Sequence, residues 1–111
     1  MPVTAPQARI VLTSLNGNEE AVRLGQTLVE EKLAACATIF PGAQSIYRWQ
    51  GQIESVHETI LLLKTGPDQI AALEARLHEL HGYQTPEFLV LQVEAGSKSY
   101  LDWLHASVKP I

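Results

Sequence analysis

Residues 36–50 (CATIFPGAQSIYRWQ) and 52–65 (QIESVHETILLLKT) decide the fold: two extended runs, heavy in β-branched and aromatic residues, meet near Gly51. They are expected to pair as a hairpin. Pro41-Gly42 interrupts the first run. Proline donates no ladder hydrogen bond, so a bend or bulge is expected there. Beyond it, the two-residue period of a strand sets Ser45, Tyr47 and Trp49 on one face and Ile46 and Arg48 on the other.

Upstream, residues 8–15 (ARIVLTSL) read as a strand closed by the turn cluster Asn16-Gly17-Asn18. Val22, Gly25, Val29 and Leu33, flanked by Ala21, Leu28 and Lys32, then recur at helical spacing. Asn18 is the expected N-cap, and Glu19 and Glu20 complement the positive end of the helix dipole. Downstream, Pro67 suits a first helical turn, Ile70, Leu73, Leu77 and Leu80 form its stripe, and Gly82 is the expected C-terminal cap. Residues 88–93 (FLVLQV) are nearly all apolar, as in a central strand covered on both faces. A last helix follows Gly96 with Ser97 or Ser99 as N-cap and Asp102 completing a capping box. Its apolar side carries Tyr100, Leu101, Leu104 and Val108.

The order strand, helix, strand, strand, helix, strand, helix predicts an α+β, ferredoxin-like βαββαβ sandwich with an extra C-terminal helix. Residues 1–8 are expected to be a flexible tail and residues 9–111 one domain. A length argument follows. A strand of about 14 residues extends about 46 Å, whereas a helix of about 15 residues spans about 22 Å. The hairpin therefore overshoots its helices, leaving Tyr47, Trp49 and Ile53 on open strands, which a second copy must cover. A head-to-tail contact of that kind has to close, and a homotrimer is the smallest such ring.

Composition limits the remaining possibilities. One core fits 111 residues, and no window approaches the roughly 18 unbroken apolar residues of a membrane span. The N-terminus lacks the basic-then-apolar order of a secretory signal. The one cysteine, Cys36, cannot form an internal disulfide, which fits a reducing, cytoplasmic setting. The net charge of −4, with scattered Lys and Arg, argues against nucleic acid as a partner. No HExxH, GxSxG, GxxxxGK[ST] or CxxC pattern occurs.

Residues 28–36 (LVEEKLAAC), Pro41-Gly42 followed by residues 45–51 (SIYRWQG), Lys64-Thr65, residues 83–87 (YQTPE) and 100–104 (YLDWL) together resemble the CutA family of divalent-cation tolerance proteins. The likeness spans nearly the whole chain in order. It implies a ferredoxin-like protomer, a homotrimer built through its sheets, an association with tolerance to copper and other divalent cations, and no established enzymatic reaction.

It also implies metal contacts at a first-strand cysteine, a histidine after the second helix and a glutamate just beyond. His81 and Glu87 match the last two, while Thr13-Ser14-Leu15 supplies no thiol, which lowers the expected affinity for Cu(I). His78 and His81 stand three apart, and their plainer role is to meet the last carbonyls of the helix. For Glu87 the plainer role is a surface or interface ion pair. Tyr47, Trp49, Lys64 and Tyr83 are candidates for an inter-subunit cleft where a small anion or metal complex docks, with trimer packing as the alternative. Cys36 reads as a small buried hydrophobe, and His57 and His105 as solvated. Two further functions are kept: a small-ligand sensor resembling the PII signalling proteins, and a structural trimer that anchors a client protein.

Overall fold

The computed structural model describes residues 7–110. In it β2 (Cys36–Trp49) and β3 (Gln52–Thr65) pair antiparallel from end to end. Gln50 and Gly51 take φ of 51° and 80°, the two positive values of a hairpin turn whose twist matches its strands. The ladder shifts once. Phe40 faces Ile60 and Ala43 faces Glu58, so Pro41 and Gly42 together oppose Thr59, with Gly42 at φ 77°. This is the bulge that Pro41-Gly42 predicts, and it changes parity. Ser45, Tyr47 and Trp49 continue the face of Thr38 and Phe40, which without the extra residue would carry Gln44, Ile46 and Arg48.

β1 (Arg9–Leu15) pairs antiparallel with the inner half of β3, Arg9 opposite Thr65 and Leu15 opposite Thr59. β4 (Leu89–Gln92) lies on the other side of β1, and the strand order is β2-β3-β1-β4. β1 and β2 are thus parallel across β3 and joined by α1 (Asn18–Glu30), while β3 and β4 are parallel across β1 and joined by a 3₁₀ turn (Pro67–Gln69) and α2 (Ile70–Leu80). α3 (Lys98–Ala106) follows.

α1 and α2 cover one face of the sheet. Val11, Leu15, Leu61 and Leu63 meet Leu24, Leu28, Leu73 and Leu77 in one core, and each fully buried leucine is worth about 1.5–3 kcal/mol over an exposed one. The stripe on α1 is Ala21, Leu24, Gly25 and Leu28, with Val22 and Val29 exposed, contrary to expectation. Gly25 fixes that rotation. A Cβ there would lie 2.9 Å from the Ala37 Cβ, so only this face can approach the sheet closely. Lys32, at φ 61°, turns the chain so that Leu33 enters the core from beyond the helix.

Other local expectations need correction. Gly17, not Asn18, is the N-cap of α1, with no side-chain cap bond. α2 ends because His81 is extended (ψ 140°), so Gly82 supplies no left-handed cap. Leu80 is exposed. Ser97 precedes α3 without a side-chain cap bond, and Asp102 accepts from Lys98 (2.7 Å) instead of completing a capping box. β4 is not central. It is an edge strand exposed along its length, because its apolar side chains find no layer within this chain to lie against.

The C-terminal helix closes one end. Leu101, Leu104 and Val108 pack with Ala8, Ala35 and Val93. The Lys109 amide donates to the Lys32 carbonyl (2.9 Å), and Gln69 Nε2 donates to the Lys109 carbonyl (2.6 Å). The expected tail over residues 1–8 lies mostly outside the described residues. Ala8 belongs to the packed body: it is buried, and its carbonyl accepts from the Val93 amide (3.3 Å).

Two surfaces stay bare in the protomer. The sheet face opposite the helices carries Phe40, Leu89 and Leu91 about half exposed, beside Ile10, Leu12, Ile60 and Leu62. Residues 43–58 of the hairpin run past the end of β1 with no third strand beside them among the described residues, which together measure 54 × 25 × 22 Å. The overshoot expected from strand and helix lengths is present.

Candidate functional site

Where the hairpin leaves the end of β1, the segment after α2 folds back toward it and encloses a groove of about 920 Å³. Its walls come from the end of β1 (Ser14, Asn16), the outer hairpin (Tyr47, Trp49, Glu58) and the segment carrying Tyr83 and Glu87. The bulge places the aromatic side chains here, since Tyr47 and Trp49 share with Glu58 the face that Pro41 and Gly42 restored.

His81 holds this segment in place. Its ring is buried, and Nδ1 accepts the Tyr83 amide hydrogen at 3.0 Å. Nε2 lies 2.8 Å from the Ser14 carbonyl, which can only accept, so Nε2 carries the proton and the ring is the neutral Nε2–H tautomer. The imidazole therefore ties the end of α2 to the end of β1. The sequence reading expected a ligand or a cap for the helix's own carbonyls. His81 instead bonds across to another element, while His78 does bond a helix carbonyl, that of Glu74 (2.9 Å).

Tyr83 extends the chain of bonds. Its hydroxyl donates to Glu58 Oε2 at 2.7 Å, and its ring lies 4.9 Å from that of His81. Burial, and then the bond to Glu58, pushes the phenol well above its ordinary pKa. Glu58, only 9% exposed, was not singled out from sequence. Its one legible signal is an acidic residue two before the apolar run Ile60, Leu61, Leu62, Leu63 on a strand.

The sequence-predicted residues are thus partly gathered. Tyr47, Trp49, Tyr83 and Glu87 line one groove. Lys64 lies elsewhere, near α3, where its Nζ donates to the Tyr100 hydroxyl at 3.3 Å and sits 5.5 Å from the ring centroid. That hydrogen bond pushes its pKa up. Cys36 is opposite Lys64 and half-buried, with Sγ 3.8 Å from Thr38 Oγ1.

A resident metal does not fit these residues within the protomer. Both nitrogens of His81 are occupied, Glu87 is exposed, and among the described residues no three His, Cys, Asp or Glu side chains converge. A soft or borderline cation needs more donors than one free carboxylate.

Comparison with known proteins places the chain. A profile of the family described as CutA1 divalent ion tolerance protein matches residues 9–107. The chain is 43% identical over 107 residues to the divalent-cation tolerance protein CutA of Citrobacter koseri, covering 96% of this chain and 93% of that one. Among solved structures, the divalent cation tolerance protein (Cut A1) of Thermus thermophilus superposes with a TM-score of 0.90 at 40% identity, over 92% of this chain and 99% of the other. A relative from Archaeoglobus fulgidus, called a periplasmic divalent cation tolerance protein, gives 0.89 at 33% identity, over 92% and 99%. Shared sequence along the whole core and shared element order lead to one conclusion: the chain belongs to the CutA1 divalent ion tolerance family.

Proposed function

We propose that the protein is a homotrimer with ferredoxin-like protomers, assembled through its sheets, that serves divalent-cation tolerance by binding a cation such as copper without catalysing a reaction. One observation carries the assembly. The half-exposed face of Phe40, Leu89 and Leu91 adjoins a hairpin whose outer half has no third strand beside it among the described residues. Surface of that kind is an aggregation hazard unless it meets its like. In the trimer it becomes the interface, and the groove faces a neighbouring copy.

Because the described residues of the protomer offer no assembled metal centre, cation binding in this reading belongs to the assembly. Glu87 is the available contact of the proposed pair, and His81 contributes only if it releases the Tyr83 amide or the Ser14 carbonyl. Sedimentation of the purified chain at micromolar concentration tests the first part, with one chain per particle as the refuting result. Calorimetric titration of Cu(II) into wild type, Glu87→Ala and His81→Ala tests the second, and identical heats for all three would remove both residues from the site.

The groove favours a second reading, a small-ligand sensor resembling the PII proteins, because aromatic walls around a concave space suit an organic ligand. Thermal shifts against nucleotides test it, since a ligand of the native state raises apparent stability. Cytoplasmic residence and independence of nucleic acid are part of the proposal, and fractionation of the native host addresses the first. Anchoring of a client protein is the least specific alternative.

A further inference from the structure

The groove holds a nearly buried carboxyl group that no cationic side chain of the described residues pairs with. Glu58 is 9% exposed, and its Oε2 accepts a hydrogen bond from the Tyr83 hydroxyl at 2.7 Å. No cation lies within salt-bridge distance of it among the described residues, where the ion pairs are Arg23 with Glu19, Arg76 with Glu31 and with Glu79, and Lys98 with Asp102. Neither lysine nor arginine lines the groove, and its second carboxylate, Glu87, is likewise without a cationic partner. A nearly buried carboxylate with a single neutral donor gains from a positive group brought beside it.

The walls say which kind. Tyr47, Trp49 and Tyr83 present aromatic rings to the same space, and ring faces attract organic cations, most strongly when desolvated. A bare divalent ion would need several converging donors and gains nothing from aromatic walls. The volume of about 920 Å³ also falls in the range of small-molecule sites, roughly 300–1,000 Å³.

We propose that this groove binds an organic ammonium ion, with Glu58 as its buried counter-charge, Glu87 as the outer carboxylate, and Tyr47, Trp49 and Tyr83 as an aromatic enclosure. The site deepens the small-ligand reading of the same groove and rests on it; it does not require copper binding, and in the assembled protein it requires the groove to stay open beside the neighbouring copy. Trp49 reports on it directly. The chain has two tryptophans, and Trp103, half exposed on α3, can be replaced by Phe to leave Trp49 as the sole tryptophan, excited selectively over the tyrosines at the red edge of their absorption.

The experiment titrates choline into the full-length Trp103→Phe protein and follows Trp49 fluorescence, with 3,3-dimethyl-1-butanol as the neutral isostere. Choline should produce a saturable change below about 10 mM, the isostere binding at least about tenfold more weakly. Glu58→Gln keeps an acceptor for Tyr83 while removing the charge, so its circular dichroism should match the parent and its choline affinity should fall at least about tenfold. Glu87→Gln, at an exposed position, covers the case in which the first variant fails to fold, and should lose affinity severalfold.

Equal binding of choline and its isostere would overturn the proposal. So would unchanged affinity in the folded charge-neutral variants, or no response to choline, the outcome if a lysine of a neighbouring copy already fills the site. Copper heats, read separately by calorimetry, stand or fall without affecting this result: choline binding without copper binding keeps this site and removes the copper reading, and the converse result does the reverse.

Discussion

The two halves of one hairpin share the same ladder and meet different fates. In the inner half, Leu61 and Leu63 lie under α1 and α2 and are fully buried, with β1 hydrogen-bonded along the free edge of β3. In the outer half, Ile46, Trp49 and Ile53 are at least half exposed, and no third strand lies beside them among the described residues. Backbone pairing continues through both. A two-stranded ribbon is marginal without a hydrophobic face to pack on, so the outer half draws its order from the turn, the bulge, the Tyr83 contact and, in the proposed assembly, a second copy.

Substitution is the sharpest way to break this contrast. Leu63→Ala should cost about 2–5 kcal/mol at any protein concentration, while Ile53→Ala should cost under about 0.5 kcal/mol in a dissociated chain and more when copies assemble. Urea unfolding at two widely spaced concentrations measures both. Equal, concentration-independent losses would dissolve the distinction. Gly25→Ala, which forces the Ala37 Cβ and Leu61 Cδ1 apart, belongs with the inner half and should cost about 1–3 kcal/mol in the same assay.

The junction between the halves depends on His81. Its replacement by Ala leaves the Ser14 carbonyl and the Tyr83 amide without their partner, at about 1–3 kcal/mol. Amide exchange at Tyr83 should speed up, whereas exchange at Leu63, deep in the inner ladder, should change only by the global loss of stability.

Smaller effects come from titration. The Tyr83 phenol has its folded pKa raised above the ordinary value of 10.0, so its contribution is fully present below that pH and is lost as the pH climbs toward the folded value. Alkaline unfolding should steepen above about pH 10, and Tyr83→Phe should remove both that slope and the last tyrosinate step at 295 nm. Glu31 works in the opposite direction. Hydrogen bonds from Arg76 Nε (2.9 and 3.2 Å) and Nη2 (2.8 Å) hold its carboxyl below the usual range. Its contribution is therefore present above the unfolded pKa of 4.5 and lost as pH falls through the folded value. Glu31→Gln should flatten the acid limb slightly and leave the alkaline one unchanged. Both partners are partly solvated, so this is the weakest effect.

Element order, the hairpin with its bulge, and the aromatic face beyond the bulge were all readable from residue spacing, because strand period, proline chemistry and turn chemistry act within a few residues. So was the overshoot, which needs only the rise per residue of a strand and a helix. Family membership was legible from short patterns in order along the chain. The misjudged details have a common cause: the rotation of α1, the edge position of β4 and the end of α2 at His81 depend on what lies across the fold.

The same holds for the site. Tyr47, Trp49, Tyr83 and Glu87 could be nominated from sequence, but Lys64 could not be separated from them until β3 carried it to the far end of the sheet beside Tyr100. Glu58 became visible only when Tyr83, 25 residues later, returned to it. His81 became a tie between elements only when the Ser14 carbonyl, 67 residues earlier, met its Nε2. Sequence by itself settled what local sterics and periodicity govern. Burial, hydrogen-bond partners and uncompensated charge are properties of residues distant in the chain, and only the tertiary structure brings those residues together.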